Sequence, residues 1–185
     1  MGASLADRLD SLLPQTQCTR CGYAGCRPYA EALAAAAADI DQCPPGGAAT
    51  AAALAALVGR PAKPVSAAFG VEGPPRVAVI DESVCIGCAK CLPACPVDAI
   101  VGAQRRLHTV ITAECSGCEL CLPPCPVDCI ALVELEPAPL TQGAIRRRAD
   151  QYRARYAAHQ SRASGRAAAR AARLESRAPP AGMRP

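Results

Sequence analysis

The chain has 185 residues, of which 13 are cysteine and only 3% are aromatic, with one Phe and no Trp. Such a composition leaves little material for a large hydrophobic core, so small domains held together by metal centres are expected instead. No secretory signal is visible and the longest apolar run, Ala48 to Val58, is too short to span a bilayer, so we expect cysteine ligands in a reducing compartment rather than disulfides.

The net charge of +4 combines two regions of opposite charge. Residues 1–140 contain nine Lys and Arg against fourteen Asp and Glu, whereas residues 141–185 contain eleven Arg against two acidic residues. This indicates an acidic body with a basic tail, which either contacts anionic lipid head groups or forms a solvated helix without a partner. Nucleic-acid binding is not expected because the tail has few aromatic residues, and a non-redox metal protein that binds nucleic acid is kept only as an alternative.

The sequence divides into four regions. A helical module with one cysteine set is followed by a linker rich in Pro and Gly, a module with eight evenly spaced cysteines, and an Arg- and Ala-rich tail that is helical or disordered. These regions are residues 1–60, 61–75, 76–136 and 137–185. The predicted fold class is therefore α+β: a small α-helical module, a two-cluster ferredoxin-like module and a basic C-terminal helix.

The first module contains four cysteines separated by two, four and sixteen residues, namely Cys18, Cys21, Cys26 and Cys43. If all four bind one cluster, the chain must turn back between Cys26 and Cys43, because a continuous helix would separate them by about 25 Å. We expect a helix over Tyr29–Ala37 and a break near Asp39. A zinc site or four structural thiols are the alternatives for this set.

The eight remaining regular cysteines form two copies of one motif, 30 residues apart. CIGCAKCLPACPVDAI and CSGCELCLPPCPVDCI both read C-x2-C-x2-C-x3-C-P, the run of bacterial two-cluster ferredoxins, in which the fourth cysteine binds the other cluster. Zinc is a poor alternative because it favours paired C-x2-C knuckles. One predicted set is Cys85, Cys88, Cys91 and Cys125, and the other is Cys95, Cys115, Cys118 and Cys121.

Regular structure is predicted on both sides of each cysteine loop. Arg76–Ile80 and Leu107–Ile111 are predicted strands, and each Pro-Val-Asp segment is predicted to begin a short helix. The thirteenth cysteine, Cys129, corresponds to Ala99 in the other copy of the motif. It is therefore predicted to be a small buried thiol rather than a ligand.

With both kinds of cysteine set in view, the chain resembles the B subunit of the Rnf/Rsx electron transport complex. The segments LPQTQCTRCGYAGCRPYAEA and QCPPGG carry this resemblance together with the two ferredoxin runs. It implies three 4Fe-4S clusters, one on each cysteine set, and a role in electron transfer. It also implies that the chain partners with the other subunits of that complex, and with a soluble ferredoxin or another redox protein, on the cytoplasmic side of the bacterial inner membrane.

Members of that family usually begin with a hydrophobic membrane anchor, which this sequence does not contain. Peripheral attachment, indirect or through the basic tail, is therefore expected, and a soluble polyferredoxin-like carrier in the cytoplasm is the alternative. The sequence has no nucleotide-binding glycine motif, and neither His108 nor His159 stands beside a nucleophile. No catalytic residue is predicted, and the chain is expected to move electrons rather than atoms.

Overall fold

The computed structural model describes residues 2–135 and 141–176. The predicted boundary between the second module and the tail, and the last nine residues of the tail, lie outside the described residues. The helices are α1 (Leu5–Leu12), α2 (Cys26–Ala34), α3 (Gly47–Val58), α4 (Cys91–Ala94) and α5 (Gln142–Glu175). The strands are β1 (Arg76–Ile80), β2 (Ile100–Val101), β3 (Thr109–Val110) and β4 (Ile130–Glu134). Within the described ranges, no helix is both long and apolar enough to cross a membrane.

The first three helices pack around a small apolar core. Leu9 and Leu54 are fully buried, and Tyr29 is 1% exposed. The Tyr29 hydroxyl donates a hydrogen bond to the carbonyl of Asp39 at 2.6 Å, which ties α2 to the returning chain. α1 begins with a capping box between Ser4 and Asp7, so a short helix is fixed at its start.

The chain turns back after α2, but earlier than the sequence predicted. The prediction placed the helix over Tyr29–Ala37 with a break near Asp39, whereas α2 ends at Ala34. Ala36 adopts a left-handed φ of 56°, its amide donates to the Leu33 carbonyl, and the following amide donates to the Ala32 carbonyl. These two bonds form a Schellman ending, which terminates the helix although every residue in the stretch favours helix.

The second module has an internal pseudo-two-fold arrangement. β1 pairs antiparallel with β4, and β2 pairs antiparallel with β3. Ile80 faces Ile130, and the residues displaced by one repeat, Val110 and Ile100, face each other in the same register. The repeat of 30 residues in the sequence is therefore also a repeat of strand pairing.

The backbone follows the same repeat inside the cysteine loops. Gly87 and Gly117 have φ values of 67° and 68°, and Asp98 and Asp128 both have a φ of 49°. A Cβ at either glycine would come within 2.8 or 2.3 Å of a backbone carbonyl oxygen, so only glycine fits there. Equivalent positions in the two halves can thus be compared side chain by side chain.

Two predictions about the flanks of these loops need correction. β1 covers Arg76–Ile80 as predicted, but the predicted strand Leu107–Ile111 is regular only at the two residues of β3. The Pro-Val-Asp segments form turns, and α4 lies before the fourth cysteine of its run rather than after it. The left-handed φ at Asp98 and Asp128 stops a helix before its first turn is complete.

α5 packs back across both modules. Its proximal part is anchored by Tyr152, which is 6% exposed, whereas every described residue from Ser164 to Ser176 is exposed. The tail is therefore neither wholly solvated nor disordered over its described part, and it continues as helix through Gly165. Ion pairs attach it to the first module and to the second, through Arg153–Asp10, Arg155–Glu114 and Arg162–Asp98.

Residues 61–75 are attached to the first module rather than free. The Lys63 ammonium lies 2.5 Å from the Asp39 carboxylate, and the Ser66 amide donates to the Asp41 carbonyl at 2.9 Å. The segment has one short 3-10 helix, Ala67–Phe69, and leads directly into β1.

Candidate iron-sulfur sites

The first cysteine set lines one cavity. Cys18, Cys21, Cys26 and Cys43 surround it together with Tyr29 and Pro44, and it contains about 280 Å³ that no protein atom occupies, including the space at its mouth. Cys26 is the first residue of α2 and Cys43 directly precedes a 3-10 helix, so the turn after α2 is what allows the two to meet. The four residues that sequence spacing grouped together are thus grouped in the structure.

A chain of buried amides supports this cavity. The Cys26 backbone N–H donates to Gln17 Oε1 at 2.9 Å, and Gln17 Nε2 donates to Gln15 Oε1 at 2.9 Å. Gln15 Nε2 donates in turn to the Asp10 carbonyl at 2.8 Å, and Arg153 of α5 donates to the Asp10 carboxylate at 3.0 Å. A continuous hydrogen-bond path therefore links the C-terminal helix to a cysteine of the first set.

These two glutamines were assigned no role from the sequence. Gln15 and Gln17 are 1% and 3% exposed, and their φ values are 59° and 57°. Because both glutamines adopt a left-handed backbone conformation, both side-chain amides turn inward. Secondary-structure propensity does not predict such a conformation. The signal that could have found them was the pair of glutamines in LPQTQC, immediately before the first cysteine.

Gly25 makes close packing around this cavity possible. A Cβ at this position would lie 2.8 Å from Gln17 Oε1, too close for any side chain. Glycine at position 25 thus lets the loop backbone lie close to the Gln17 side-chain amide, whose oxygen accepts the hydrogen bond from the Cys26 N–H.

The second cysteine set also lines one cavity. Cys85, Cys88, Cys91 and Cys125 surround it, with about 280 Å³ that no protein atom occupies, including the space at its mouth. The fourth cysteine comes from the other copy of the motif, as the ferredoxin pattern predicts. Cys85, Cys88 and Cys125 are partly exposed, so this set lies nearer the surface than the others.

The third set, Cys95, Cys115, Cys118 and Cys121, is buried at all four positions. Backbone amides point at two of these sulfurs: Ala78 N–H donates to Cys115 Sγ at 3.4 Å, and Ala99 N–H donates to Cys95 Sγ at 3.2 Å. The Tyr152 hydroxyl of α5 donates to the Cys115 carbonyl at 2.9 Å, so the C-terminal helix covers this loop. Amide donors aimed at sulfur are what a negatively charged sulfur ligand requires.

Burial changes the acidity of these thiols. It raises the pKa of Cys26 to about 12 and that of Cys118 to about 11, and neighbouring cysteines of the same set add to both shifts. Burial likewise raises the pKa of Cys43. As free thiols these groups are protonated at neutral pH, so binding of a metal centre must displace their protons.

Two further side chains reach the second cavity. His108 is 1% exposed, and its Nδ1 lies 3.4 Å from Cys85 Sγ. Cys129 is buried, as predicted, and its Sγ lies 3.6 Å from Cys125 Sγ. The sequence predicted only that His108 lies in a strand. Its contact with Cys85 was not predicted because the two residues are 23 positions apart along the chain.

The donor chemistry of the cysteine sets indicates which metal centre they suit. Within residues 2–135 and 141–176, no three His, Cys, Asp or Glu side chains are grouped as they would be around one metal ion. Zinc would draw four thiolates to within about 2.3 Å of a common centre. Two of the sets each line one cavity, and the all-thiolate donors suit an iron-sulfur cubane.

Comparison with known families agrees with this chemistry. Residues 78–132 match the family described as "4Fe-4S dicluster domain", and residues 13–45 match the family described as "Putative Fe-S cluster". The chain is an iron-sulfur protein. Its two matched segments contain every cysteine of the three sets.

Curated relatives are named as the B subunit of an "Ion-translocating oxidoreductase complex". The protein from Azoarcus sp. (strain BH72) is 61% identical over 110 residues, which is 60% of each chain. Those from Thiobacillus denitrificans and Pseudomonas aeruginosa (strain LESB58) are 58% and 59% identical, over 61% and 60% of this chain and 60% and 57% of the relative. Over this shared region the chain is a homologue of these B subunits, and the match spans about 60% of the relatives' length. No solved structure matches the chain.

Proposed function

We propose that the chain transfers electrons through three 4Fe-4S clusters, as the B subunit of a membrane-associated, ion-translocating oxidoreductase complex of the Rnf type. The observation that carries this proposal is the grouping of two sets of four cysteines around separate cavities, with a further set of four buried cysteines in the second module. The names of the homologues indicate the complex in which the electron transfer would take place.

The proposed ligands follow the three groups. Each bound cluster would supply reversible one-electron chemistry, and the chain's own residues hold, bury and donate hydrogen bonds to its sulfurs. The first cluster would bind Cys18, Cys21, Cys26 and Cys43; the second Cys85, Cys88, Cys91 and Cys125; the third Cys95, Cys115, Cys118 and Cys121.

The two modules, proposed as residues 1–60 and 76–136, are in direct contact through polar groups. Ser116 Oγ donates to the Thr16 carbonyl at 3.0 Å, and the Arg20 guanidinium lies 2.5 Å from the Glu119 carboxylate. Each of these residues flanks a proposed ligand of the first or third cluster. Because electron transfer slows steeply with distance, a fixed contact between these loops favours transfer between the two clusters.

The second cluster would face the electron-transfer partner. Three of its four ligands are partly exposed, and the nearby apolar side chains Ile86 and Leu107 are 60% and 55% exposed. Exposed apolar side chains beside a redox centre suit a transient docking surface. The partner there would be a soluble ferredoxin or another redox protein, and the membrane subunits would attach elsewhere.

The exposed half of α5 offers one way to attach. Arg166, Arg170 and Arg173 project from the exposed part of the helix, and their spacing places them on one side of it. This basic side could contact acidic surfaces of other subunits or anionic lipid head groups on the cytoplasmic side of the membrane.

Metal analysis of the anaerobically purified chain tests the cofactor. We expect about twelve irons and about twelve acid-labile sulfides per chain, because each cubane contains four of each. Replacing Cys21, Cys88 or Cys118 with Ala removes one ligand from one set and should lower the iron content by about four in each case. Zinc in place of iron would contradict the proposal.

Affinity purification from solubilised membranes tests the assembly. The tagged full chain should recover membrane-embedded partner subunits. Recovery of redox enzymes from the soluble fraction alone would contradict membership of a membrane complex and would favour a polyferredoxin-like carrier.

A further inference from the structure

The two halves of the second module superimpose in register but differ in side chains next to the cysteine sets. Position 78 is Ala and its repeat equivalent, 108, is His; position 99 is Ala and its equivalent, 129, is Cys. The surrounding backbone is the same: the Asp81 amide donates to the Cys129 carbonyl at 2.8 Å, and the Ile111 amide donates to the Ala99 carbonyl at 2.8 Å. At these two positions the halves therefore differ in the side chain, while the backbone contacts beside them are equivalent.

His108 places a polar nitrogen beside one cysteine set. Its Nδ1 lies 3.4 Å from Cys85 Sγ, whereas Ala78 brings only its backbone amide to the equivalent sulfur, Cys115 Sγ, at the same distance. A ligating thiolate has no proton, so the contact with His108 is a hydrogen bond only when Nδ1 carries the proton. Nε2 has no hydrogen-bond partner and is buried, and in that tautomer it bears a lone pair rather than an orphaned N–H.

Cys129 places a second donor at the same set. Its Sγ lies 3.6 Å from Cys125 Sγ, too long for a disulfide, whose S–S length is about 2.05 Å. If Cys125 is a thiolate ligand, only the S–H of Cys129 can supply the proton for this contact. The equivalent Ala99, which is fully buried beside Cys95, has no such group.

We propose that His108 and Cys129 are positioning residues that raise the reduction potential of the cluster on Cys85, Cys88, Cys91 and Cys125, and of that cluster alone. On reduction one electron enters the site and no covalent bond changes, so the ligand sulfurs become more negative. Donors directed at those sulfurs stabilise the reduced state more than the oxidised state. The proposal rests on the proposed function and makes the two repeat-related clusters inequivalent.

Spectroelectrochemical titration of the full chain, followed by EPR, tests this by resolving the three reduction potentials. Cys129→Ala restores the residue that the other repeat already carries, and His108→Leu removes the nitrogen. We expect each variant to lower the same one of the three potentials. A tenfold change in the reduction equilibrium corresponds to about 59 mV for one electron.

Reciprocal and conservative variants serve as controls. Ala99→Cys introduces the donor into the other half and should raise a different potential from the one that Cys129→Ala lowers. His108→Asn keeps a side-chain N–H near Cys85 and should retain most of the original potential.

Unchanged potentials in Cys129→Ala and Ala99→Cys, with iron content intact, would overturn the proposal. An equal fall in His108→Asn and His108→Leu would also overturn it, because it would reveal a packing effect rather than a hydrogen bond. Failure of the proposed function looks different: the unmodified chain would then lack the clusters altogether.

Discussion

Arg153 in α5 donates a hydrogen bond to the carboxylate of Asp10, 143 residues earlier in the chain, at 3.0 Å. A second guanidinium nitrogen donates to the Asp10 carbonyl at 3.1 Å. Asp10 is only 8% exposed and also accepts from Gln15. The C-terminal helix is thus part of the polar structure that supports the first cysteine set, and it is more than a tail.

Replacing Arg153 with Met keeps the aliphatic stem and removes the charge. The substitution leaves the buried Asp10 carboxylate with fewer donors, so the free energy of unfolding should fall by about 1–3 kcal/mol. Denaturant unfolding under anaerobic conditions measures the change. Arg147→Met, at an exposed position in the same helix, is the matched control and should change stability by less than about 0.5 kcal/mol. Equal effects of the two substitutions would contradict the role of Arg153.

Asp98 anchors the middle of α5. Burial of Asp98 works against its ionisation, but hydrogen bonds from His159 and Arg162 outweigh it and hold the pKa of Asp98 below its usual value. The carboxylate is therefore ionised at neutral pH, and this contribution to stability is lost only as the pH falls through the acid range. Asp98→Asn should weaken the attachment, and amide hydrogen exchange should accelerate in α5 around His159.

Asp128 is the repeat equivalent of Asp98 and has the same φ of 49°. Asp128→Asn therefore makes the same chemical change in the same backbone conformation, which asparagine tolerates well. It should leave exchange in α5 unchanged. Acceleration in both variants would indicate a general loosening of the module rather than release of the helix.

Gln17 connects the polar chain to the first set. Gln17→Ala leaves the buried Cys26 amide without its acceptor, at a cost of about 1–3 kcal/mol. The iron content should fall from about twelve towards about eight per chain, because only the first cluster depends on this loop. Gln104→Ala, at an exposed loop position, should leave the iron content unchanged. Full iron occupancy in Gln17→Ala would show that the amide is dispensable.

Ala36 lies in the left-handed region at the end of α2, where glycine is favoured. Ala36→Gly should stabilise the protein by about 0.5–1 kcal/mol, since relief of the backbone strain exceeds the added entropy of the unfolded chain. Ala32→Gly, inside the same helix, should destabilise it by about 1 kcal/mol. Thermal or denaturant unfolding measures both, and a loss of stability in Ala36→Gly would contradict the proposed turn.

Ile86 tests the proposed docking surface. Ile86→Glu places a charge beside the second cluster, at a side chain that is 60% exposed, and should slow electron exchange with a reduced ferredoxin in stopped-flow experiments. Val71→Glu, at a side chain that is 80% exposed in the linker, is the control and should leave the rate unchanged. Equal rates for Ile86→Glu and the unmodified chain, with iron content intact, would place the partner elsewhere.

The cysteines of the first and second predicted sets line separate cavities. Spacing could predict these two groups because ligand spacing is a local property of loops that enclose one centre. The sequence predicted β1 for the same reason, since the short run of apolar, mostly β-branched residues there is a local signal. It misplaced the end of α2 because a single left-handed alanine, Ala36, overrides the helix propensity of a run of alanines.

Contacts between distant segments could not be predicted in this way. His108 meets Cys85 where the two loops are joined by the hydrogen bond from the Arg105 amide to the Gly87 carbonyl, and Arg153 meets Asp10 because a long helix folds back over both modules. Arg153 is one of eleven Arg in residues 141–185, and nothing in the neighbouring sequence distinguishes this partly buried anchor from the exposed arginines. Contacts of this kind can be identified only from the folded structure.

The proposed function depends above all on one chain holding three 4Fe-4S clusters on twelve cysteines. The EPR spin count of the anaerobic protein after complete reduction, normalised to protein concentration, measures the number of clusters. We expect about three unpaired spins per chain with fast-relaxing signals, and about two after Cys43→Ala. A count of about two in the unmodified chain, unchanged by Cys43→Ala, would contradict a cluster on the first set.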